Sequence, residues 1–476
     1  MRKGGILMKA AAISVPVRSK NRTQVAARTV FLFGGLGLWG LLLFAPNTWY
    51  DESFTAAAVT QPWEGLWRTA CADFHPPLYY VLLKSFCTVF GDSLPVLRAF
   101  SLLPVLLLGL WGIPAAARAF GKPASDRLAI LLLCCPVLPF FVVEIRMYTW
   151  ALLFVSLAAF YAWQWHQTGA ARDGGKFVLF AILGAYTHYY ALLAVCAMNA
   201  LLLWNALRQK RLLRVLPAAA VQLLSYAPWG YFLVSRVKTV AHGYWIAQSP
   251  VLYLVLLLAM GGSVLLAYLV RKDEKFAAAS RAAAGVLVLA LGAALLFSAF
   301  VRPIFVPRYL LPFLGLFLFQ LCALWQGLPQ KGRRALFLLW CIGFAVCQGL
   351  ILFRFYAPQN QLLQAECARL TPQDTVVVSD CAAAGPLAVQ AEAAPLYWVD
   401  NQDPLNPLAF SERARFLTNV NSLPALPGGR LLVVDTPNSA LRETLLQKGY
   451  RDCTAPRTAR LPYTFWETFT YTWMER

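Results

Sequence analysis

Four stretches of this chain, Thr29–Pro46, Val96–Pro114, Val251–Val270 and Leu336–Phe353, carry no charge or a single charge near one end. Each is close to the roughly 17–25 apolar residues a helix needs to cross the hydrocarbon of a bilayer. Of the 476 residues, 59% are hydrophobic and 13% are charged, against roughly a quarter charged in ordinary soluble domains. A soluble fold would have too little polar surface to cover itself. Extending the count to the remaining apolar runs gives about eleven spans, at roughly 29–46, 95–117, 127–143, 148–165, 177–190, 191–207, 215–233, 251–270, 282–301, 309–326 and 335–353. Residues 177–207 read either as two short helices with a turn near His188 or as one long tilted helix, and the choice sets the parity of the count.

The net charge of +20 invites a nucleic-acid reading, but the placement of the charge argues against it. Seven Lys or Arg and no acid precede Asp51. Sixteen more fall in Arg118–Arg127, Arg172–Lys176, Arg208–Arg214, Arg271–Arg281 and Lys331–Arg334, which are alternate loops if there are eleven spans. Lys and Arg accumulate on the cytoplasmic side because they resist translocation. The N-terminus is therefore expected inside and the segment after Phe353 outside, in the cell membrane, with the bilayer and not nucleic acid as the partner of the basic surface. The first apolar run has no small-residue cleavage site before Asp51, so it reads as an anchor and not as a removable signal.

The expected organisation is a basic cytoplasmic tail at 1–28, a membrane body at 29–353 with an interfacial first outer loop at 47–94, and an extracytoplasmic α/β domain at 354–476. In that domain 374–380 and 430–435 read as buried strands bounded by turn residues. Residues 438–449 read as a helix closed by glycine, and 464–473 as a late strand. The outer loop carries apolar residues at helical spacing in 54–71 and 77–90, which suits two short amphipathic helices lying in the interface. Cys367, Cys381 and Cys453 leave room for one disulfide in the tail and show no metal spacing.

Polar groups at the outer ends of the spans carry the chemistry. Trp49-Tyr50-Asp51-Glu52-Ser53 places two carboxylates where the first span leaves the bilayer. They suit a general base for an attacking hydroxyl, and equally a solvated helix cap. In Ala72-Asp73-Phe74-His75-Pro76-Pro77-Leu78-Tyr79-Tyr80 the prolines fix a helix entry, and a helix start is a natural seat for phosphate; taken singly, His75 is more often a cap. Glu144 and Arg146, in Val143-Glu144-Ile145-Arg146-Met147-Tyr148, stand between two apolar runs. Two residues apart they do not share a helix face, which favours function over a mutual structural pair. Arg302 and Arg308 flank a short turn before Tyr309 on the side where cations are scarce. Arg binds phosphate through a fork of donors, and the bland reading is snorkelling to the interface. Thr187-His188-Tyr189-Tyr190 lines the same face more weakly. Carboxylates, a histidine and arginines at one membrane level suit group transfer from a lipid phosphate.

In their order, Asp51-Glu52, His75-Pro76-Pro77-Leu78-Tyr79-Tyr80, Leu97-Arg98-Ala99-Phe100-Ser101, Glu144-Ile145-Arg146-Met147-Tyr148, His188-Tyr189 and Pro307-Arg308-Tyr309-Leu310-Leu311-Pro312 resemble the GT-C membrane glycosyltransferases. Within these the chain looks most like the family 39-type group, related to protein O-mannosyltransferases and the aminoarabinose transferase of lipid A. The resemblance spans roughly 30–320. It implies an α-helical polytopic GT-C-like body and inverting transfer of a hexose or pentose from a polyprenyl- or dolichyl-phosphate donor to a protein, lipid or polysaccharide hydroxyl. It also implies Asp51, Glu52 and Glu144 as the catalytic acids, and His75, Arg146, Arg302, Arg308 and Tyr309 at the donor phosphate and lipid. Tyr79, Tyr148, His188 and Tyr189 would line the substrate pocket. Asp51, Glu52 and Glu144 are oxygen ligands of the kind that hold Mg²⁺ or Mn²⁺, while the relatives imply that no cofactor is required. A lipid transporter or flippase without transferase chemistry is the competing class. Transporters bind substrate near the midplane, whereas these polar residues gather at one face.

Overall fold

A computed structural model of the chain describes residues 36–45, 47–73, 75–236, 249–270, 273–357, 361–401, 403, 405–424, 429–436, 439–460 and 468–476. The expected tail at 1–28 and the beginning of the first expected span lie outside the described residues. The membrane body begins with α1 (Leu36–Leu43), followed by three helices in the first outer loop, α2 (Tyr50–Thr60), α3 (Trp63–Ala72) and α4 (Leu78–Phe90). The bundle continues with α5 (Leu94–Phe120), α6 (Lys122–Leu133), α7 (Tyr148–Thr168), α8 (Ala171–Ala185), α9 (Tyr189–Arg208) and α10 (Leu212–Arg236). It closes with α11 (Pro250–Leu269), α12 (Glu274–Phe300), α13 (Leu314–Gly327, entered through a 3₁₀ turn at Pro307–Phe313) and α14 (Gln330–Tyr356). Among the described residues a helix falls at each of the eleven expected spans, and six of them (α5, α9, α11, α12, α14, and α13 with its 3₁₀ turn) are long and apolar enough to cross a membrane. The chain is a multi-pass membrane protein.

One open alternative is resolved and two expectations are corrected, each for a local reason. Residues 177–207 form two helices, broken at 186–188, where the Nδ1 of His188 accepts the Tyr190 N–H at 3.1 Å and caps the second. The apolar run at 127–143 is not one helix. It stops at Leu133, because Pro136 and Pro139 lack the N–H that would continue it and their rings clash with the preceding turn. Residues 134–147 therefore run irregularly, through a 3₁₀ turn at Leu138–Phe140, as far as the start of α7. Finally, the outer loop holds three helices in place of two: the chain turns helical at Tyr50, and Pro62 ends that helix and serves as N-cap of the next.

Arg98 explains how the end of α1 is held. It is fully buried, and its guanidinium donates to the carbonyls of Leu43 (3.3 Å), Ala45 and Asn47 (2.7 Å). The last carbonyls of a helix have no intrahelical partner, so this cation closes α1 and fixes the path into α2.

The C-terminal domain comprises α15 (Leu362–Cys367), β1 (Thr375–Val378), α16 (Cys381–Gln390), β2 (Leu396–Val399), α17 (Leu405–Phe410), β3 (Arg415–Leu417), β4 (Leu431–Asp435), α18 (Leu441–Gln447), β5 (Arg451–Asp452), β6 (Arg457–Arg460) and β7 (Thr468–Glu475). Its sheet runs β3-β2-β1-β4-β7-β5, with β6 also on β7; the first four strands are parallel and the last three antiparallel. Val376 and Val378 pack on one face with Trp398, Phe410 and Trp473, while Val377 faces Val399, Val433 and Leu445 on the other. That alternation is the period of a strand. Among the described residues none of the three cysteines of this domain forms a disulfide, so the bridge for which the sequence left room is not made.

The domain's first core takes in Phe54 and Ala57 of α2, so α2 is shared by bundle and domain. Gln61 Nε2 donates to the carbonyls of Leu408 and Ala409 at 2.7 Å each, and Tyr50 donates to Asn406 Oδ1. The approach of α16 needs glycine: a Cβ on Gly385 would lie 3.2 Å from Tyr50 Cδ2 and 3.3 Å from Ser53 Cβ. Gly385→Val should therefore overpack this seam and cost about 1–3 kcal/mol, read as a lower melting temperature with faster protease cleavage between bundle and domain. An unchanged melting temperature would show that the seam is loose.

Candidate active site

Asp51 and Glu52 occupy the first turn of α2, and their neighbours assign them different tasks. Glu52 is completely buried; its Oε1 accepts the Ile145 N–H at 3.1 Å and its Oε2 the Trp49 N–H at 3.3 Å. It pins the irregular 134–147 linker to the start of α2. Asp51 points the other way, and its Oδ2 meets Arg308 Nη2 at 3.1 Å. The Arg308 guanidinium also lies over the Trp49 ring, 4.9 Å from its centroid. The two side chains of this ion pair remain 19% and 20% exposed, whereas Glu144 and Arg146 are 6% and 5% exposed. A substrate can reach the Asp51–Arg308 pair directly.

Linker residues 144–147 bring Glu144 and Arg146 beside that pair. The Arg146 N–H donates to the Glu144 carbonyl at 2.7 Å, a tight turn that sends the two side chains apart. Arg146 Nη1 donates to Thr55 Oγ1 at 3.2 Å and to the Tyr80 hydroxyl at 3.4 Å, and its Nε makes no hydrogen bond among the described residues. The Glu144 carboxyl stands among Arg308, Glu52, Asp51 and Arg146. Burial pushes it up to about 8, against the pull of Arg308. A carboxyl kept neutral near pH 7 can donate as well as accept a hydrogen bond.

A second network adjoins the first. The Tyr80 hydroxyl donates to Asp73 Oδ2 at 2.7 Å, and the His75 ring Nδ1 meets the same oxygen at 2.8 Å. Burial alone would raise the Asp73 carboxyl; the His75 charge and hydrogen bond, then Arg146 and the Tyr80 hydroxyl, overturn this and hold it below the usual carboxylate range. The His75 ring lies 6.4 Å from that of His188. Burial, with the charges of His75, Arg146 and Arg308, keeps His188 far below the usual histidine range. Because its Nδ1 accepts the Tyr190 N–H, the ring carries its proton on Nε2. Tyr309 packs on His188 (5.0 Å between centroids), on Tyr190 (5.3 Å) and on Tyr148 (6.2 Å), which forms an aromatic wall beside Arg308.

Asp51, Glu52, Glu144, Arg146, Arg308, Tyr309, Tyr148, His75 and His188 thus gather at the end of the bundle that bears the C-terminal domain. Three others make different contacts. Tyr79 packs on Tyr80 and Phe100, 5.8 and 5.9 Å between centroids. Tyr189 turns toward Trp229 of α10. Arg302 closes the end of α12, its N–H donating to the Phe297 carbonyl at 3.0 Å. The sequence reading did not single out Asp73, Tyr80, Trp49 or Tyr190. Only Asp73 had a usable signal, an acid two residues before a histidine in the turn ahead of a Pro-Pro pair. Among the described residues, no group of three or more His, Cys, Asp or Glu side chains is arranged to hold a metal ion.

No family model matches the chain. No curated protein matches it in sequence. Solved structures do. The crystal structure of ArnT from Cupriavidus metallidurans in the apo state is similar to 94% of this chain and 98% of its own, with a TM-score of 0.61 and 14% identity. The same protein bound to undecaprenyl phosphate is similar over the same shares, with a TM-score of 0.59 and 14% identity. At this identity the likeness establishes the fold: helical body, outer-loop helices and C-terminal domain together follow the ArnT architecture.

The raised Glu144 carboxyl has a stability consequence. Between its ordinary value of 4.5 and about 8 the unfolded chain has released this proton and the folded protein keeps it, so folding stability falls as pH rises through that window. Glu144→Gln removes the dependence. The melting temperature of the Gln variant relative to the parent should climb from pH 4.5 to about 8 and then level off. A difference that stays constant with pH would contradict the buried, neutral carboxyl.

Proposed function

We propose that this protein is an inverting glycosyltransferase that moves a hexose or pentose from a polyprenyl-phosphate donor to an acceptor hydroxyl at the outer face of the cell membrane. One observation carries the proposal: Asp51 and Arg308, 257 residues apart in sequence, meet as a part-exposed ion pair against a cluster of buried charges. Lipid-phosphate transfer needs a base and a cation within reach of one anomeric centre. The ArnT fold supports the reading, since one of the similar ArnT structures is bound to undecaprenyl phosphate. The GT-C resemblance of the motifs around Asp51, His75, Glu144 and Arg308 supports it independently. The orientation in this reading rests on the basic residues of alternate loops in the sequence, which favour the cytoplasmic side.

The donor phosphate enters beside Arg308 and competes for its guanidinium fork. Arg308 turns part of its charge to the phosphate, and Asp51 becomes available to the acceptor. The acceptor hydroxyl gives its proton to Asp51 as its oxygen bonds to the anomeric carbon, while the bond from that carbon to the phosphate oxygen breaks on the opposite face. Configuration inverts and the polyprenyl phosphate departs. Arg308, Arg146 and His75 stabilise the charge that develops on it, which preorganised donors do most effectively away from bulk water. Glu144, neutral in the empty site, binds a sugar hydroxyl or a phosphate oxygen. Glu52 acts by position: it holds the linker that delivers Glu144 and Arg146. Positive charge thus comes from side chains, and in this reading transfer needs no divalent cation. The acceptor is a protein, lipid or polysaccharide hydroxyl.

Proteoliposomes given a radiolabelled polyprenyl-phosphate sugar and an acceptor extract test this. Asp51→Asn should lower transfer by roughly 10²–10⁴-fold, the usual range for loss of a general base, while keeping the parent's melting temperature within a few degrees and its binding of polyprenyl phosphate. A chelator should leave the parent rate unchanged. Full transfer by a folded Asp51→Asn protein would reject Asp51 as the base.

A further inference from the structure

A cavity of about 460 Å³ opens in the bundle well away from Asp51. Its lining on α7 runs from Ser156 to Gln167, which places it about 12–28 Å along the helix from Tyr148 at 1.5 Å per residue. The walls are Phe120, Phe160, Trp163, Leu202 and Phe319, with alanines of α12 making the room. At its inner end Gly315 faces Ser156, and any side chain at 315 would collide with the Ser156 hydroxyl. That hydroxyl is on a residue 3% exposed and makes no hydrogen bond among the described residues; the Trp163 indole N–H makes none either. At the outer end the wall turns polar, with His166, Asn205 and Arg281.

A smaller cavity of about 40 Å³ shares His166 and Leu202 with the first and is lined by Gln209, Arg211 and Arg214. Gly169, with φ +73°, lets the Arg214 guanidinium lie across the end of α7, where any Cβ would collide with it. Arg211, Arg214 and Arg281 make no ion pair among the described residues, and no acidic side chain described there lines either cavity. An apolar shaft joined to an uncompensated cationic seat is complementary to an amphiphile with one anionic head. The lining of the shaft is mostly apolar, and a basic pocket between helices on the cytoplasmic side favours an anionic headgroup.

We infer that this pair of cavities holds one anionic phospholipid of the surrounding bilayer, with an acyl chain in the shaft and its phosphate on Arg211, Arg214 and Arg281. The site is separate from the transfer site, and its occupancy does not depend on the proposed chemistry.

The test is native mass spectrometry of the full chain released from nanodiscs of equal parts phosphatidylglycerol and phosphatidylcholine. The parent protein should keep one phosphatidylglycerol after annular lipids are stripped, preferred over phosphatidylcholine on the order of tenfold. Ala282→Trp, which fills the shaft, should release it. Arg211→Gln combined with Arg214→Gln, at exposed positions that leave the bundle core untouched, should keep one lipid but lose the preference. Retention of no lipid by the parent, equal retention of the two lipids, retention of polyprenyl phosphate in their place, or an unaltered preference in the double arginine variant would each overturn the inference.

Discussion

The site depends on a constraint that lipid imposes on charge. Ionised groups removed from water are stable only when opposite charges and hydrogen bonds replace hydration, and here the replacements come from distant parts of the chain. Asp51 arrives at the start of the first outer helix, Arg146 on an irregular linker, and Arg308 on a 3₁₀ turn before a late span. None of them is tolerable there alone. The bundle therefore cannot close without assembling the cluster, and the arrangement needed for phosphate chemistry is also the one that makes these charges bearable.

The shared helix α2 extends this coupling to the C-terminal domain. Tyr50 is bonded to Asn406, Asp51 to Arg308, and Glu52 to the Ile145 amide. Three consecutive residues thus hold the domain, the late turn and the linker. One face of α2 lies in the domain's core while its first turn carries the exposed carboxylate. The domain is part of what fixes the direction of Asp51, and not an appendage to a finished catalytic body.

Most of the membrane architecture was legible because its signals are physical and repeated. Apolar runs gave the helices. The strands at Thr375–Val378 and Leu431–Asp435 and the glycine-ended helix at Leu441–Gln447 stood out by composition against their turns. The gathering of Asp51, Glu144, Arg146 and Arg308 followed from their position at span ends. What escaped was what local pattern does not encode. Pro136 and Pro139 cut a span that hydropathy alone joined together. The division of labour between Asp51 and Glu52 depends on the partner each meets, the Arg308 guanidinium for one and the Ile145 amide for the other, and both come from distant parts of the chain. Asp73 and Tyr80 became visible only when the outer loop folded back on Arg146. Tyr190 and not Tyr189 packs on Tyr309, a choice of helix face that the motif alone does not encode.

The central claim is that Arg308 is shared between Asp51 and the donor phosphate. Determining the structure of the full chain in lipid nanodiscs with polyprenyl phosphate bound measures this most directly. The account predicts a phosphate oxygen within about 2.7–3.2 Å of the Arg308 guanidinium, Arg146 and His75 turned toward it, and the Asp51 carboxylate released toward the acceptor side. A phosphate seated elsewhere, with the Asp51–Arg308 contact still at 3.1 Å, would contradict it.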